Sequence, residues 1–386
     1  MNKKILILGA GFGGLDTALN LRKELDDSYI IELIDKSEYF IIGFTKFDVM
    51  FGRRTAEDVK SYYKDLTIEG VNFIQDEILL IDPEQKNVKT VSAEFKYDYL
   101  VVALGADTFP DAIPGFVEGG FEFYSLKGGE KLYTAIDNFR SGTIVISIFS
   151  KPYKCPPAPY EAAFQLDEYF NQKGIRDEVN IKVLIPSPIP LPIAPNVSER
   201  IEELLTERNI ELFSKHKVTE LDIANKSAVI ENREPMPYDL FIGIPIHKPP
   251  KVIRESALGN GGWISISTDN LETPYENVYA IGDVTNVPVG EFAVPKSGAL
   301  AENGAEVVVS DILSKINGEE STLRYEGIGS CFVELGEGKV GKLNTNFLGK
   351  PEPEVSLEGP TIEFKQDKIR FEKDRIEKWF GVRQNQ

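Results

Sequence analysis

Only two cysteines, Cys155 and Cys331, occur among the 386 residues, far apart in the chain. That is too few for a disulfide-stapled secreted scaffold. Histidine is equally scarce: His216, in Ser-Lys-His-Lys, and His247, in Pro-Ile-His-Lys-Pro-Pro, both read as surface or loop residues, and no metal site is expected. No apolar run approaches the roughly 20 residues of a membrane-spanning helix. Basic charge is also short, with 43 Lys and Arg against 61 Asp and Glu. The net charge of −18 repels phosphate, which excludes general nucleic-acid binding and broad adhesion to anionic lipid, though a local basic patch can still dock. No low-complexity tract is present. The opening Met1-Asn-Lys-Lys-Ile-Leu-Ile-Leu mimics a signal peptide, but its apolar run is short and passes straight into a glycine turn, so it reads as a first strand.

What is there begins with that turn. Lys4 to Leu8 is a continuous apolar strand, Gly9-Ala-Gly11-Phe-Gly-Gly14 follows, and Leu15 to Leu25 has helical spacing. Ile30 to Ile34 is a second strand closing on Asp35, about 20 residues past the glycines, the interval of a dinucleotide fingerprint. Glycines allow the tight turn and close phosphate approach, the helix N-terminus attracts the anion, and the acid accepts from a ribose hydroxyl. Tyr97 to Gly105 and Val278-Tyr-Ala-Ile-Gly-Asp283 repeat the pattern of strand and glycine, the second with an acid. Between them lies a separate β/α alternation. The fold class is therefore α/β, with two Rossmann-like dinucleotide-binding domains, one inserted in the other, and a C-terminal α+β segment. The expected boundaries are 1–110 and 237–313 for the first domain, 111–236 for the insert and 314–386 for the remainder.

A chain of two dinucleotide domains should carry a second glycine loop after the strand Thr143 to Phe149. This one reads Lys151-Pro-Tyr-Lys-Cys155-Pro-Pro-Ala-Pro159-Tyr-Glu161 instead. Proline has no backbone N–H and a fixed φ, so the segment cannot wrap a pyrophosphate in amides, and a nicotinamide site is not expected there. A buried cysteine is often only a small apolar filler, but filler needs no Pro-Pro-Ala-Pro frame. Glu161, six residues on, suits either a proton relay or a first-turn charge on a helix.

Taken together, Gly9 to Gly14, Asp35 to Phe40, Tyr97 to Gly105, Lys154 to Glu161, Tyr279 to Asp283, Pro295-Lys296 to Glu302 and Cys331 followed by Gly336-Glu-Gly338 resemble one family over nearly the whole chain. It is the flavoprotein family of sulfide:quinone oxidoreductases and the flavin subunit of flavocytochrome c sulfide dehydrogenase. The resemblance implies FAD held by Gly9, Gly11, Gly14, Asp35, Lys36, Gly105 and Asp283. It puts Lys296 at the pyrimidine end of the flavin, where a cation favours the anionic reduced ring; the plain alternative is a solvated helix-start lysine. It implies that Cys155 and Cys331 cycle between disulfide and dithiol, that sulfide leaves a persulfide on one, and that a thiolate–flavin adduct formed by Cys331 passes two electrons to the ring. Quinone is the implied acceptor. Many members carry a third cysteine soon after the Ile-Pro-Gly turn, here Ile113-Pro-Gly115, often with a histidine nearby; Phe121 to Gly129 has neither.

From Phe364 to Gln386 seven Lys and Arg face four Asp and Glu, with Ile369, Phe371, Ile376, Trp379, Phe380 and Val382 as an apolar side. Trp379 suits a headgroup boundary, and Trp379 or Phe347 a quinone ring; the competing reading is a helix packed on its own protein. The expected setting is cytoplasmic, peripheral at the inner face of the cell membrane, with self-association left open. Two other readings share the fold: a type II NADH:quinone dehydrogenase, and a degenerate FAD-binding sulfur carrier.

Overall fold

In the computed structural model, which describes residues 3–381, the first apolar run is the centre of a parallel sheet. β1 (Lys3–Leu8) turns at the glycines into α1 (Phe12–Glu24) and returns as β2 (Tyr29–Asp35), pairing Leu8 with Ile34. Four consecutive β1 residues, Ile5 to Leu8, are buried on both faces, as a strand sandwiched by helices requires. A short helix, α2 (Thr45–Met50), precedes β3 (Val71–Gln75) and β4 (Tyr99–Val102).

The chain then leaves this sheet. α3 (Leu126–Asn138) leads into a second parallel sheet made by β5 (Gly142–Ile148), β6 (Val179–Ile185), β7 (Ile210–Ser214) and β8 (Leu240–Ile244), in the order β7-β6-β5-β8. Two helices cross over within it, α4 (Ala158–Gln172) and α5 (Pro195–Glu207), each with proline in its first turn, where the missing N–H costs nothing. The outgoing and returning segments pair antiparallel, Thr108 opposite His247. β9 (Val278–Ala280) then completes the first sheet, in the order β9-β4-β1-β2-β3. One Rossmann-like unit is thus inserted in the other.

α6 (Gly298–Asn317) packs along α1 and ends on Gly318, whose φ of +73° suits a helix stop. An antiparallel sheet follows, β10 (Ile328–Glu334), β11 (Val340–Asn346) and β12 (Glu354–Thr361), and then α7 (Glu363–Phe380). The tail is a helix packed on its own protein: Trp379 and Phe380 join the core of the first sheet, with Ile376 against it. Of its expected apolar side only Ile369 stands mostly in solvent. Val382 and Arg383 lie outside the described residues.

Candidate active site

The two ends of the glycine turn are fixed by backbone contact. Gly9 has a φ of +97°, and an added Cβ would run into the Ala103 carbonyl; at Gly14 it would strike the Gly9 oxygen. A Cβ at Gly11 meets nothing within 4 Å, so that face is open. The Asp35 carboxylate accepts the Ala10 N–H at 2.7 Å and the Ser37 N–H at 2.8 Å, which aims it along the turn. Neither α1 nor α6 has a side-chain cap bond at its N-terminus. Gly11 and Gly13 at the start of α1, and Ser297, Gly298 and Ala299 at the start of α6, line one cavity of about 500 Å³. Asp35, Gly105 and Asp283 line it too. Free helix-end N–H groups facing an open cradle, with a carboxylate beside it, fit the pyrophosphate and ribose of FAD. Lys36 is not brought in: it is exposed and lies 3.9 Å from Glu77.

Cys155 reaches this cavity from the proline loop after β5. Its φ of +54° is the left-handed region, costly for a residue with a Cβ and held by bonds on both sides. Its N–H donates to the Lys296 carbonyl at 2.9 Å, and its carbonyl accepts the Ala158 N–H at 2.9 Å, launching α4. Cys331 comes from the middle of β10, opposite Leu343 of β11. Both are free thiols. Both line the large cavity, and both line a small apolar chamber behind it with Leu191, Pro295, Leu300 and Phe347. Two residues far apart in sequence therefore share two walls. Burial pushes the Cys331 thiol up to about 12, helped by Glu161, and raises Cys155 well above its ordinary range, with Cys331 and Glu161 adding to it.

Glu161 sits in the first turn of α4, 1% exposed. Its Oε1 accepts the Glu334 N–H at 3.0 Å and the Gln165 amide at 3.3 Å, and Lys368 Nζ is 3.6 Å away. Its Oε2 has no partner. Burial pushes its carboxyl up to about 7, although Lys368 pulls the other way. Lys368 also meets Glu334 at 2.5 Å, and Glu334 meets Arg53 at 2.9 Å. Burial would raise Glu334, but Lys368 and Arg53 outweigh it and hold that carboxyl below its ordinary value.

Lys296 lines the cavity and is buried rather than solvated. Its ammonium donates to the Asp283 carbonyl at 2.5 Å and the Thr285 carbonyl at 3.2 Å, and lies 3.5 Å from the centre of the Trp263 ring. Burial lowers it to about 8, opposed by Asp283. Several residues emerge to which the sequence assigned no role at this cavity. Phe44, Phe332 and Phe371 line the cavity, with Phe371 5.9 Å from Phe44 and 5.8 Å from Phe332. Lys46, Tyr124 and Lys154 line it as well.

Three expectations need correction. Trp379 cannot serve as a headgroup-boundary residue, because it is fully buried; its indole N–H donates to Asp16 at 2.7 Å, and Phe12 and Phe40 meet it edge-on. Phe347 belongs to the small chamber and not to the large cavity. His247 is no loop residue: it is buried in the antiparallel pair, donates from Nδ1 to the Pro245 carbonyl at 2.8 Å, and stands edge-on to Tyr124. His216 is half-buried against Phe213.

Comparison with known proteins agrees with this layout. The family model described as pyridine nucleotide-disulphide oxidoreductase matches residues 3–142, and that of the central part of the sulfide dehydrogenase (flavocytochrome c) flavoprotein chain matches 131–240. A mitochondrial sulfide:quinone oxidoreductase of Dictyostelium discoideum is 27% identical, covering 87% of this chain and 76% of its own. A type II NADH:quinone oxidoreductase of Staphylococcus haemolyticus is 26% identical over 83% of this chain and 84% of its own. The crystal structure of the sulfide:quinone oxidoreductase of Aquifex aeolicus superposes with a TM-score of 0.84 at 22% identity, covering 98% of this chain and 96% of that one. Over most of its length the chain is similar to the flavoproteins of the sulfide:quinone oxidoreductase and flavocytochrome c sulfide dehydrogenase family, and it is an FAD-dependent oxidoreductase.

Proposed function

We propose that the protein oxidises sulfide through a Cys155–Cys331 pair and passes the electrons through FAD to quinone. The observation that carries this is that Cys155 and Cys331 line the same cavity as Gly11 and Gly13 of the glycine turn and Asp35. FAD, held by Gly9, Gly11, Gly14, Asp35, Gly105 and Asp283 with Lys296 close by, supplies the two-electron acceptor. In the oxidised protein the two cysteines form a disulfide. A hydrosulfide ion attacks the Cys155 sulfur, the S–S bond breaks, Cys155 becomes a persulfide, and Cys331 leaves as the thiolate. Glu161, with an unpartnered Oε2 and a carboxyl near 7, is placed to take the persulfide proton. Cys331 is assigned as the flavin-facing thiol and Cys155 as its partner, an assignment supported by Ser330 and Phe332 on either side of Cys331 lining the same cavity.

The quinone ring is best assigned to the aromatic wall of Phe44, Phe332 and Phe371 in place of Trp379. Among the described residues no helix is long and apolar enough to cross a membrane, so contact with a quinone pool is assigned to docking at the membrane surface. An anaerobic titration tests the reading. Sulfide should bleach the bound flavin with a persulfide detected on Cys155, and Cys331→Ser should abolish both. A type II NADH dehydrogenase activity is the second reading, favoured by the Staphylococcus relative. Rapid bleaching by NADH, with none by sulfide, would select it.

A further inference from the structure

The molecule has a net charge of −18, yet the cavity end beside Cys155 gathers cations. Lys46 and Lys154 both line it. Lys46 is the second residue of α2, and α2 rests on the segment where many members of the family carry a third cysteine. A Cβ added at Gly129 of α3 would lie 3.5 Å from the Lys46 carbonyl oxygen, and the Phe47 and Phe123 rings are 5.1 Å apart. That segment supplies Phe123 and Tyr124 to the wall, neither of which can bind an anion by charge.

The other ammonium groups there are engaged. Lys154 donates to the Ala106 carbonyl at 3.1 Å, and Lys296 to the carbonyls of Asp283 and Thr285. Among the described residues, Lys46 Nζ has no hydrogen bond, ion pair or aromatic partner. Glu122, the carboxylate whose charge favours the Lys46 ammonium most, already accepts the Ser125 N–H at 2.9 Å. Burial and the adjacent Lys154 bring Lys46 down to about 8, with Glu122, Cys155 and Asp283 opposing that drop. It is therefore still mostly charged at neutral pH. Lys46 is half-buried, and an ammonium group set in a cavity wall without an ion-pair partner draws a small anion to itself.

We propose that Lys46, with Lys154 beside it, is the anion-binding subsite that receives hydrosulfide next to Cys155, in a chain whose Phe121 to Gly129 segment carries neither cysteine nor histidine. This rests on the sulfide reading above. On a molecule whose overall field repels anions, a local pair of ammonium groups restores the concentration of HS⁻ at the thiol.

The test compares two alkylating reagents on the FAD-loaded dithiol protein at one pH: anionic iodoacetate and neutral iodoacetamide, with Cys155 modification read by mass spectrometry. The ratio of their rates cancels the thiolate fraction and reports the charge beside the sulfur. Lys46→Met should lower the ratio about tenfold, the effect of losing one close charge at modest screening, and Lys46→Arg should restore it. The sulfide concentration for half-maximal flavin bleaching should rise by a similar factor in Lys46→Met, with the limiting rate little changed. Lys182→Met, in β6 of the insert and absent from the cavity lining, should leave the ratio as it is. An unchanged ratio in Lys46→Met overturns the proposal, and so does release of FAD by that variant with the ratio intact. If Lys46→Met does not fold, Lys46→Gln and Lys154→Gln read the same ratio. Should sulfide bleach no form, wild type included, while Lys46→Met still lowers the ratio, the anion subsite stands and the sulfide reading falls.

Discussion

Glu161 is where pH bears most directly on this molecule. Its carboxyl rises from 4.5 to about 7 because it is buried, so the folded protein holds a proton there that the unfolded chain has released. Stability contributed by the neutral form is complete below the unfolded value and is lost as pH climbs from 4.5 toward 7. The loss approaches about 3 kcal/mol at the upper end. Glu161→Gln should flatten the dependence of melting temperature on pH across that window. An unaltered dependence would assign it to another group. Trp379 is a second residue with a definite cost. Trp379→Ala removes a fully buried ring and its bond to Asp16, and should cost about 3–5 kcal/mol, read as a lower urea midpoint. The indole was recognisable in sequence as amphipathic, but its partner Asp16 lies in α1, and no local pattern announces a contact between opposite ends of a chain.

At the scale of elements, β1, α1 and β2 follow from apolar runs and glycine spacing, because each is specified by residues close together. The second sheet was legible for the same reason: β5 is a short, mostly apolar run, and β6 alternates at Asn180 and Lys182 before closing on apolar Val183 to Ile185. α7 was harder. Its alternating charges suited a surface helix, whereas in the fold Lys368 is buried between Glu161 and Glu334, and Arg375 binds Glu302 at 2.6 Å. The aromatic wall was invisible because Phe44, Phe332 and Phe371 come from three distant segments. Truncation before Glu363 distinguishes the two views of the tail. A membrane tail would leave a folded, flavin-loaded protein that merely fails to bind vesicles. The packing seen here predicts loss of flavin and a broadened thermal transition, measured by absorbance and calorimetry.

For the molecule as a whole, the cavity proposed to hold the coenzyme draws on the first sheet, on the insert through Cys155 and on the C-terminal sheet through Cys331. FAD should therefore act as a clasp on all three. With free FAD at about 100 times its dissociation constant, stability should exceed that of the apoprotein by about 2.7 kcal/mol, seen as a higher and sharper melting transition. Equal stability of the two forms would mean the coenzyme binds to the first unit alone.

The hydrogen bond from the Cys155 amide to the Lys296 carbonyl ties the proline loop of the insert to the approach of α6. Any hinge-like parting of insert and host must snap that stitch, and would carry one sulfur away from its mate just as the mouth of the site widens. Under the proposed function, mechanical opening and loss of redox competence are then a single event.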